Sequence, residues 1–243
     1  MRIAKRLMRR MTTALLVVAV TCGIDLVAAP VRAQTENAHF RNWADLPPGE
    51  VGRRQLERGG PLRGYFQPVE VIAPDGADVA LYIEDGFRSF GASKAKAGML
   101  IGGVYRAKIT RIPGHPGFEI YPSIEVIDRL FPPQGLEDRF PVPIVLTQDD
   151  LDRALAGEFV VRVVYLENPA IALPVAQREN EQRSLDVGPG DDPLITADKF
   201  GRPMAIVRIG ARVPDEALGL GQPGAPLQVL RQDATEAPET ARR

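Results

Sequence analysis

The chain has 243 residues, of which 44% are hydrophobic, 25% charged and 6% aromatic, and its 30 Lys+Arg against 31 Asp+Glu leave a formal charge of −1. That profile belongs to a globular protein and excludes collagen-like, low-complexity and polytopic membrane chains. Near-neutrality also argues against a general nucleic-acid binder, which needs a basic excess to track phosphates.

The N-terminus begins with a basic stretch (Arg2, Lys5, Arg6, Arg9, Arg10) and continues in a largely apolar run from Met11 to Gly23. Val31-Arg32-Ala33 then places small or aliphatic residues at −3 and −1 of a cut before Gln34. This order predicts a secretory signal peptide over 1–33 and a periplasmic or extracellular destination. The apolar run is shorter than the roughly 20 residues of a spanning helix, and Asp25 stands where it would have to continue, so no membrane span is expected after cleavage. Two variants are weaker. Ala19-Val20-Thr21-Cys22 is loosely similar to a lipoprotein lipobox, with Thr21 where Gly, Ala or Ser is usual, and Arg9-Arg10 resembles a twin-arginine signal in poorly fitting surroundings. Cleavage removes six basic residues and one acidic residue, leaving 24 basic against 30 acidic groups and a net charge of −6. With Cys22 gone the mature chain has no cysteine, so burial rather than disulfides must stabilise it.

Residues 34–61 are polar and Gly/Arg-rich around Phe40 and Trp43 and show no period, so they read as a linker or an arm draped on the domain. Tyr65–Ala73 and Asp78–Ile83 flank Pro74-Asp75-Gly76-Ala77, which predicts a β-hairpin, and Pro68 makes its first strand an edge strand or a bulged one. Gly91-Ala92-Ser93-Lys94-Ala95-Lys96-Ala97-Gly98 lacks the G-K-[ST] ending of a phosphate loop and reads as an exposed basic loop. Val104–Ile112 alternates, with Tyr105, Ala107 and Ile109 on the apolar face. After the turn Pro113-Gly114-His115-Pro116-Gly117, Phe118–Ile127 alternates again, with Phe118, Ile120, Ile124 and Val126 facing the core and Glu119, Tyr121, Ser123 and Glu125 facing water.

Val142–Leu146 is the next strand. Thr147 and Asp150 form a capping box for a helix over Gln148–Ala156 with Gly157 behind it. Phe159–Leu166, apolar except at Arg162, predicts a strand in the middle of a sheet. Gln177–Ser184 is a polar loop or extension. Asp192 caps a helix with Pro193 at its first position, ending at Phe200-Gly201, and Met204–Val213 is the last strand of the domain. Residues 214–243 are too poor in apolar side chains to order themselves.

The expected organisation is therefore a signal peptide (1–33), an arm (34–61), a mainly β domain (62–213) and a disordered tail (214–243). The domain is expected to be a β-sandwich, immunoglobulin-like in general architecture and with two short helices, the alternative being a mixed α+β sheet. The strand, helix and strand around Thr147–Gly157 resemble the corner between the sheets of immunoglobulin-like sandwiches, though no Cys-Trp-Cys signature accompanies them.

The catalytic residue types are sparse. Only His39 and His115 are available as imidazoles, which is too few to suggest a zinc site, and His115 reads as a turn residue. Ser89, Ser93, Ser123 and Ser184 lack a nucleophile-elbow context. Asp149, Asp150, Asp152, Asp191 and Asp192 belong at helix starts, and Glu84-Asp85-Gly86 is a turn that departs from a calcium loop. No catalytic residue, metal or cofactor is assigned, and the binding residues stay open. A carboxylate pair across a cleft would still permit a glycosidase, and Tyr121 and Trp43 are the exposed aromatics suited to a glycan.

Val187-Gly188-Pro189-Gly190-Asp191-Asp192-Pro193-Leu194, with Ala197 and Phe200-Gly201, is similar to the opening half of a LysM module, a glycan-binding repeat. It carries one extra residue between Asp191 and Leu194 and lacks the second helix. The phrases Gly103-Val104-Tyr105-Arg106, Ile112-Pro113-Gly114-His115-Pro116-Gly117, Tyr121-Pro122-Ser123-Ile124-Glu125-Val126 and Val164-Tyr165-Leu166-Glu167-Asn168-Pro169 resemble those of a class of uncharacterised exported bacterial β-domain proteins. That resemblance implies export and a compact β domain, and no activity. The expected role is an exported, non-catalytic binding or structural module of the envelope, of unknown ligand, its partner being a protein or glycan there. The alternatives are a carbohydrate-active enzyme or glycan binder, and an assembly partner that adds a strand at the Pro68 edge.

Overall fold

A computed structural model describes residues 42–172, 182–210 and 226–230. The leader, the arm through residue 41 with His39 and Phe40, residues 173–181, the end of the last predicted strand and most of the tail lie outside the described residues. Numbered in chain order, β1 (Phe66–Ile72), β4 (Lys94–Leu100), β7 (Val142–Val145) and β10 (Leu227–Val229) form one sheet in the order β10-β4-β1-β7. The second sheet has the order β3-β2-β5-β6-β9-β8, built from β2 (Asp78–Ile83), β3 (Gly86–Ser89), β5 (Val104–Thr110), β6 (Ser123–Val126), β8 (Val160–Glu167) and β9 (Gly201–Ile209). Among the described residues three short α-helices accompany them, α1 (Glu50–Glu57), α2 (Gln148–Leu155) and α3 (Pro193–Phe200), so the expected mainly β, two-sheet sandwich forms, with α1 added to the two helices the sequence suggested.

Side chains of both sheets make one apolar cluster, among them Val69 and Val71 of β1, Met99 of β4, Leu81 of β2, Tyr105 and Ile109 of β5, Ile124 of β6 and Val207 of β9. Each aliphatic side chain removed from water this fully contributes roughly 1.5–3 kcal/mol. The alternation read in β5 is what forms, with Tyr105, Ala107 and Ile109 buried and their neighbours half-buried.

The predicted hairpin at Pro74–Ala77 is instead a corner. The Ala77 N–H closes a turn on the Pro74 carbonyl at 3.0 Å, but β1 pairs with β4 and β7 whereas β2 pairs with β3 and β5. The hairpin tip lies further on, at Glu84-Asp85 between Ile83 and Gly86. Its arms stay paired across the bend, through the Ala73 N–H to the Ser93 carbonyl (2.8 Å) and the Val79 N–H to the Ala92 carbonyl (3.0 Å). Residues 66–100 are thus one long hairpin folded over so that its base lies in one sheet and its tip in the other. The segment read as a basic loop is largely β4, with Lys96 buried opposite Glu70, because the small Ala95, Ala97 and Gly98 fit an interior strand.

Pro68 sits in an interior strand, not at an edge. Even-numbered residues of β1 face β7, as the Ile72 carbonyl does in accepting from the Leu146 N–H, and the parallel pairing with β7 starts only at Val69. The missing donor of Pro68 therefore meets no strand. The buried carboxamide of Gln67 completes the gap, donating to the Pro68 carbonyl at 2.8 Å and accepting from the Leu130 N–H at 2.7 Å.

The six-stranded sheet is covered on both faces. Ile206 of β9 and Ile127 pack with Ala44, Val51 and Leu194, so the arm, α1 and α3 lie on the face opposite the main core. This overturns the reading of Glu125 as water-facing. Its carboxylate is fully buried and accepts from the Gly52 N–H (2.9 Å) and from Arg208 Nη1 (3.0 Å), while Arg208 Nη2 donates to the carbonyls of Ala44 (3.2 Å) and Leu46 (3.0 Å). Gly52 is needed for the approach, since a Cβ there would stand 2.6 Å from the Gly102 Cα. From residue 42 onward the arm is therefore a docked segment with its own helix.

Two further expectations change. The strand expected over Phe159–Leu166 forms as β8 (Val160–Glu167) at the edge of the larger sheet, and the strand buried along most of its length is β9, from Pro203 to Ile209. Part of the tail read as disordered forms β10 on β4, held by the Tyr105 hydroxyl, which donates to the Pro226 carbonyl at 2.9 Å and accepts from the Leu100 N–H at 2.6 Å. Among the described residues no helix is long and apolar enough to cross a membrane.

Candidate binding groove at the open side of the sandwich

Both sheets end on the same side of the molecule, the smaller at β7 and the larger at β8, and a groove of about 1470 Å³ runs between these edges. Its inner wall is Ile72, Val142–Leu146 and the start of α2, and its outer wall is the Pro193, Thr196, Ala197 and Phe200 side of α3. Val160–Glu167 runs the length of the groove. The volume exceeds the roughly 300–1,000 Å³ typical of small-molecule pockets.

Local sequence sets these walls in place. The capping box forms as predicted, with the Thr147 hydroxyl accepting from the Asp150 N–H (3.2 Å) and Asp150 Oδ2 accepting from the Thr147 N–H (3.1 Å). The other oxygen of Asp150, on a side chain 1% exposed, takes Arg162 of β8 at 2.5–2.7 Å and so ties α2 to the edge strand. At α3 the Asp192 cap accepts from the Leu194 and Ile195 N–H groups at 2.9 and 3.0 Å, and its second oxygen accepts from the Ala44 N–H at 2.8 Å. Both carboxylates are thereby committed to structure.

The two edges are finished differently. On β7 the outward positions are Pro143, which has no N–H, and Val145. The carboxamide of Gln182 docks there like a peptide group, donating to the Pro143 carbonyl at 2.8 Å and accepting from the Val145 N–H at 3.4 Å. Proline and side-chain cover are the ordinary means of blunting an edge. β8 carries neither. Residues 182–187 run beside it, with Arg183 3.7 Å from Glu167 and Asp186 3.7 Å from Arg162, and none of the described backbone hydrogen bonds joins them to β8.

The other candidates from the sequence lie elsewhere. His115 Nε2 is 2.9 Å from Asp152 Oδ1, which also accepts from Gln148 Nε2 at 2.8 Å, so the imidazole fastens its turn to α2. Ser89 bonds Asp78 at 2.6 Å. Tyr121 packs edge-on to Phe87 and donates to Glu119; burial and the carboxylate push its phenol up to about 12. Glu119 is held below the usual carboxylate range by the bonds from Tyr121 and Lys108. Trp43 belongs to the docked arm and shares no described partner with Tyr121. The segment similar to a LysM module is α3 running straight into β9, where a Cβ on Gly201 would stand 2.0 Å from the Leu166 carbonyl oxygen. Among the described residues no three His, Cys, Asp or Glu side chains gather as a metal site. The groove itself escaped the sequence reading, whose only trace of it was the run of β8, apolar but for Arg162 up to Leu166.

The fold defines a two-sheet β-sandwich protein with one open side. Compared with known proteins, the chain matches no family model, no curated protein and no solved structure.

Proposed function

We propose that the chain is an exported, non-catalytic module of the cell envelope that binds a polymeric partner in the groove between β7 and β8. The groove carries this reading: it runs the length of β8, is lined by aliphatic side chains of β7 and β8, and also presents Arg153, Arg162, Glu167, Arg183 and Asp186. The basic and apolar leader before Gln34 supports export to the periplasm or beyond. Phe159 (69%) and Leu166 (47%) are exposed at the groove, as contact residues awaiting a partner are.

The test is capture of the partner from the native envelope by the mature chain and by a Phe159→Ala/Leu166→Ala variant, with and without soluble cell-wall glycan as competitor. Both side chains are exposed, so the variant keeps its fold. The expected result is capture by the parent chain and a loss of several-fold in the variant; equal capture by both removes the groove as the site. Export is checked by the N-terminus recovered from cells, expected at Gln34. A soluble cytoplasmic chain beginning at Met1 refutes it.

A further inference from the structure

Resting on that reading, we infer that the groove accepts an extended polypeptide, which adds a strand to the outer edge of β8 and displaces residues 183–187. The edge has the chemistry for it. β8 is eight residues long, contains no proline, and bonds through β9 on one side only among the described residues. The outward N–H and C=O groups of an edge strand are a template that another extended chain satisfies. The neighbouring edge of β7 is closed by Pro143 and the Gln182 carboxamide, so the two sides of the same groove differ in what they can still pair with.

Residues 183–187 show which occupant fits. They lie along β8 in the opposite direction, basic Arg183 by acidic Glu167 and acidic Asp186 by basic Arg162. The contacts at 3.7 Å are loose, Asp186 is 86% exposed, and exposed pairs of this kind contribute little. This segment therefore matches the charges of the edge without using its hydrogen bonds. Glu167 and Arg162 are five positions apart, so the resident Arg183 and Asp186, three apart, reach them only out of ladder register, whereas an incoming antiparallel strand with a basic residue and an acidic one five positions later makes the same pairs and the backbone ladder besides.

The probe is a fluorescent peptide alternating Val and Thr, with one Lys and, five positions on, one Asp. Its binding is read by anisotropy on the mature chain and on an Arg183→Ala/Asp186→Ala variant, whose changes are both on exposed side chains. Freed of its resident segment, the variant is expected to bind about three- to tenfold more tightly. Hydrogen exchange gives the second readout: alternate amides of Val160–Glu167 become protected when the peptide is present. Peptide binding without that protection overturns strand addition while leaving the groove as a binding site. No binding to either chain, or tighter binding of a cell-wall glycan oligomer that leaves the β8 amides unprotected, also overturns it. Loss of partner capture in the Phe159→Ala/Leu166→Ala variant tests the broader reading separately.

Discussion

Arg208→Met should be among the most damaging single changes available. Arg208 is 5% exposed and Glu125 fully buried, so the substitution leaves a carboxylate in the interior with only the Gly52 N–H, and strips the Ala44 and Leu46 carbonyls of their donor. Breaking one partner of a buried pair costs about 3–5 kcal/mol, a large part of the roughly 5–15 kcal/mol that holds a domain folded. Replacing both partners, in Glu125→Leu/Arg208→Met, removes the stranded charge and should cost about 2–3 kcal/mol less than the two single changes together. Urea unfolding followed with two probes separates the consequences. Trp43, the only tryptophan, sits in the docked arm and reports on it by fluorescence, while far-ultraviolet circular dichroism reports on the sheets. In the parent chain the two transitions should coincide; in the double variant the Trp43 transition should come at lower urea. Single variants costing under about 1 kcal/mol, or costs that add without coupling, would refute the account of the pair as the arm's anchor.

Burial pushes the Tyr105 phenol up to about 12, against a smaller lowering from the Leu100 N–H. Folding favours the neutral form, so its contribution is complete below the ordinary value near 10 and is lost as pH rises from there to about 12; a pH titration of phenolate absorbance should show one late-ionising tyrosine fewer in Tyr105→Phe. Thr147→Ala removes one half of the capping box and should cost about 1 kcal/mol by thermal or urea denaturation, and a neutral result would count against the cap as what fixes α2. Gly201→Ala drives a methyl group into the Leu166 carbonyl and should cost about 3 kcal/mol or more, or prevent folding; a loss under about 1 kcal/mol would show that β8 and β9 are not so closely opposed at that point.

What the sequence disclosed depends on how far apart the responsible residues lie. Thr147 with Asp150 and Asp192 with Pro193 act within one helical turn, so both helix starts could be read directly. Alternation in β5 was equally plain because one of its faces meets the core and the other is less covered. Glu125 was misread because a charge in an alternating strand points to water only when that face is bare, and the element covering it belongs to the arm, 73 residues earlier at Gly52. α1 itself has no side-chain cap and buries only Val51, Gly52 and Gln55, too narrow a stripe to show as a period. Pro68 looked like an edge residue because its compensation comes from a carboxamide and from where β7 begins, neither of which local composition encodes. The groove was hidden for the same reason: it exists only because the topology ends both sheets on one side.

The anchoring of the arm also orders the events of folding. A chain emerges from its N-terminus, yet Ala44 must wait for Arg208, 164 residues later, before its carbonyl finds a donor. Gly52 must likewise wait for Glu125. The first part of the described domain to be synthesised is thus among the last to settle, and the larger sheet keeps its second face uncovered until nearly all of the chain is free. A nascent or translocating chain would stay incomplete and open throughout its passage, closing only once β9 has followed it out.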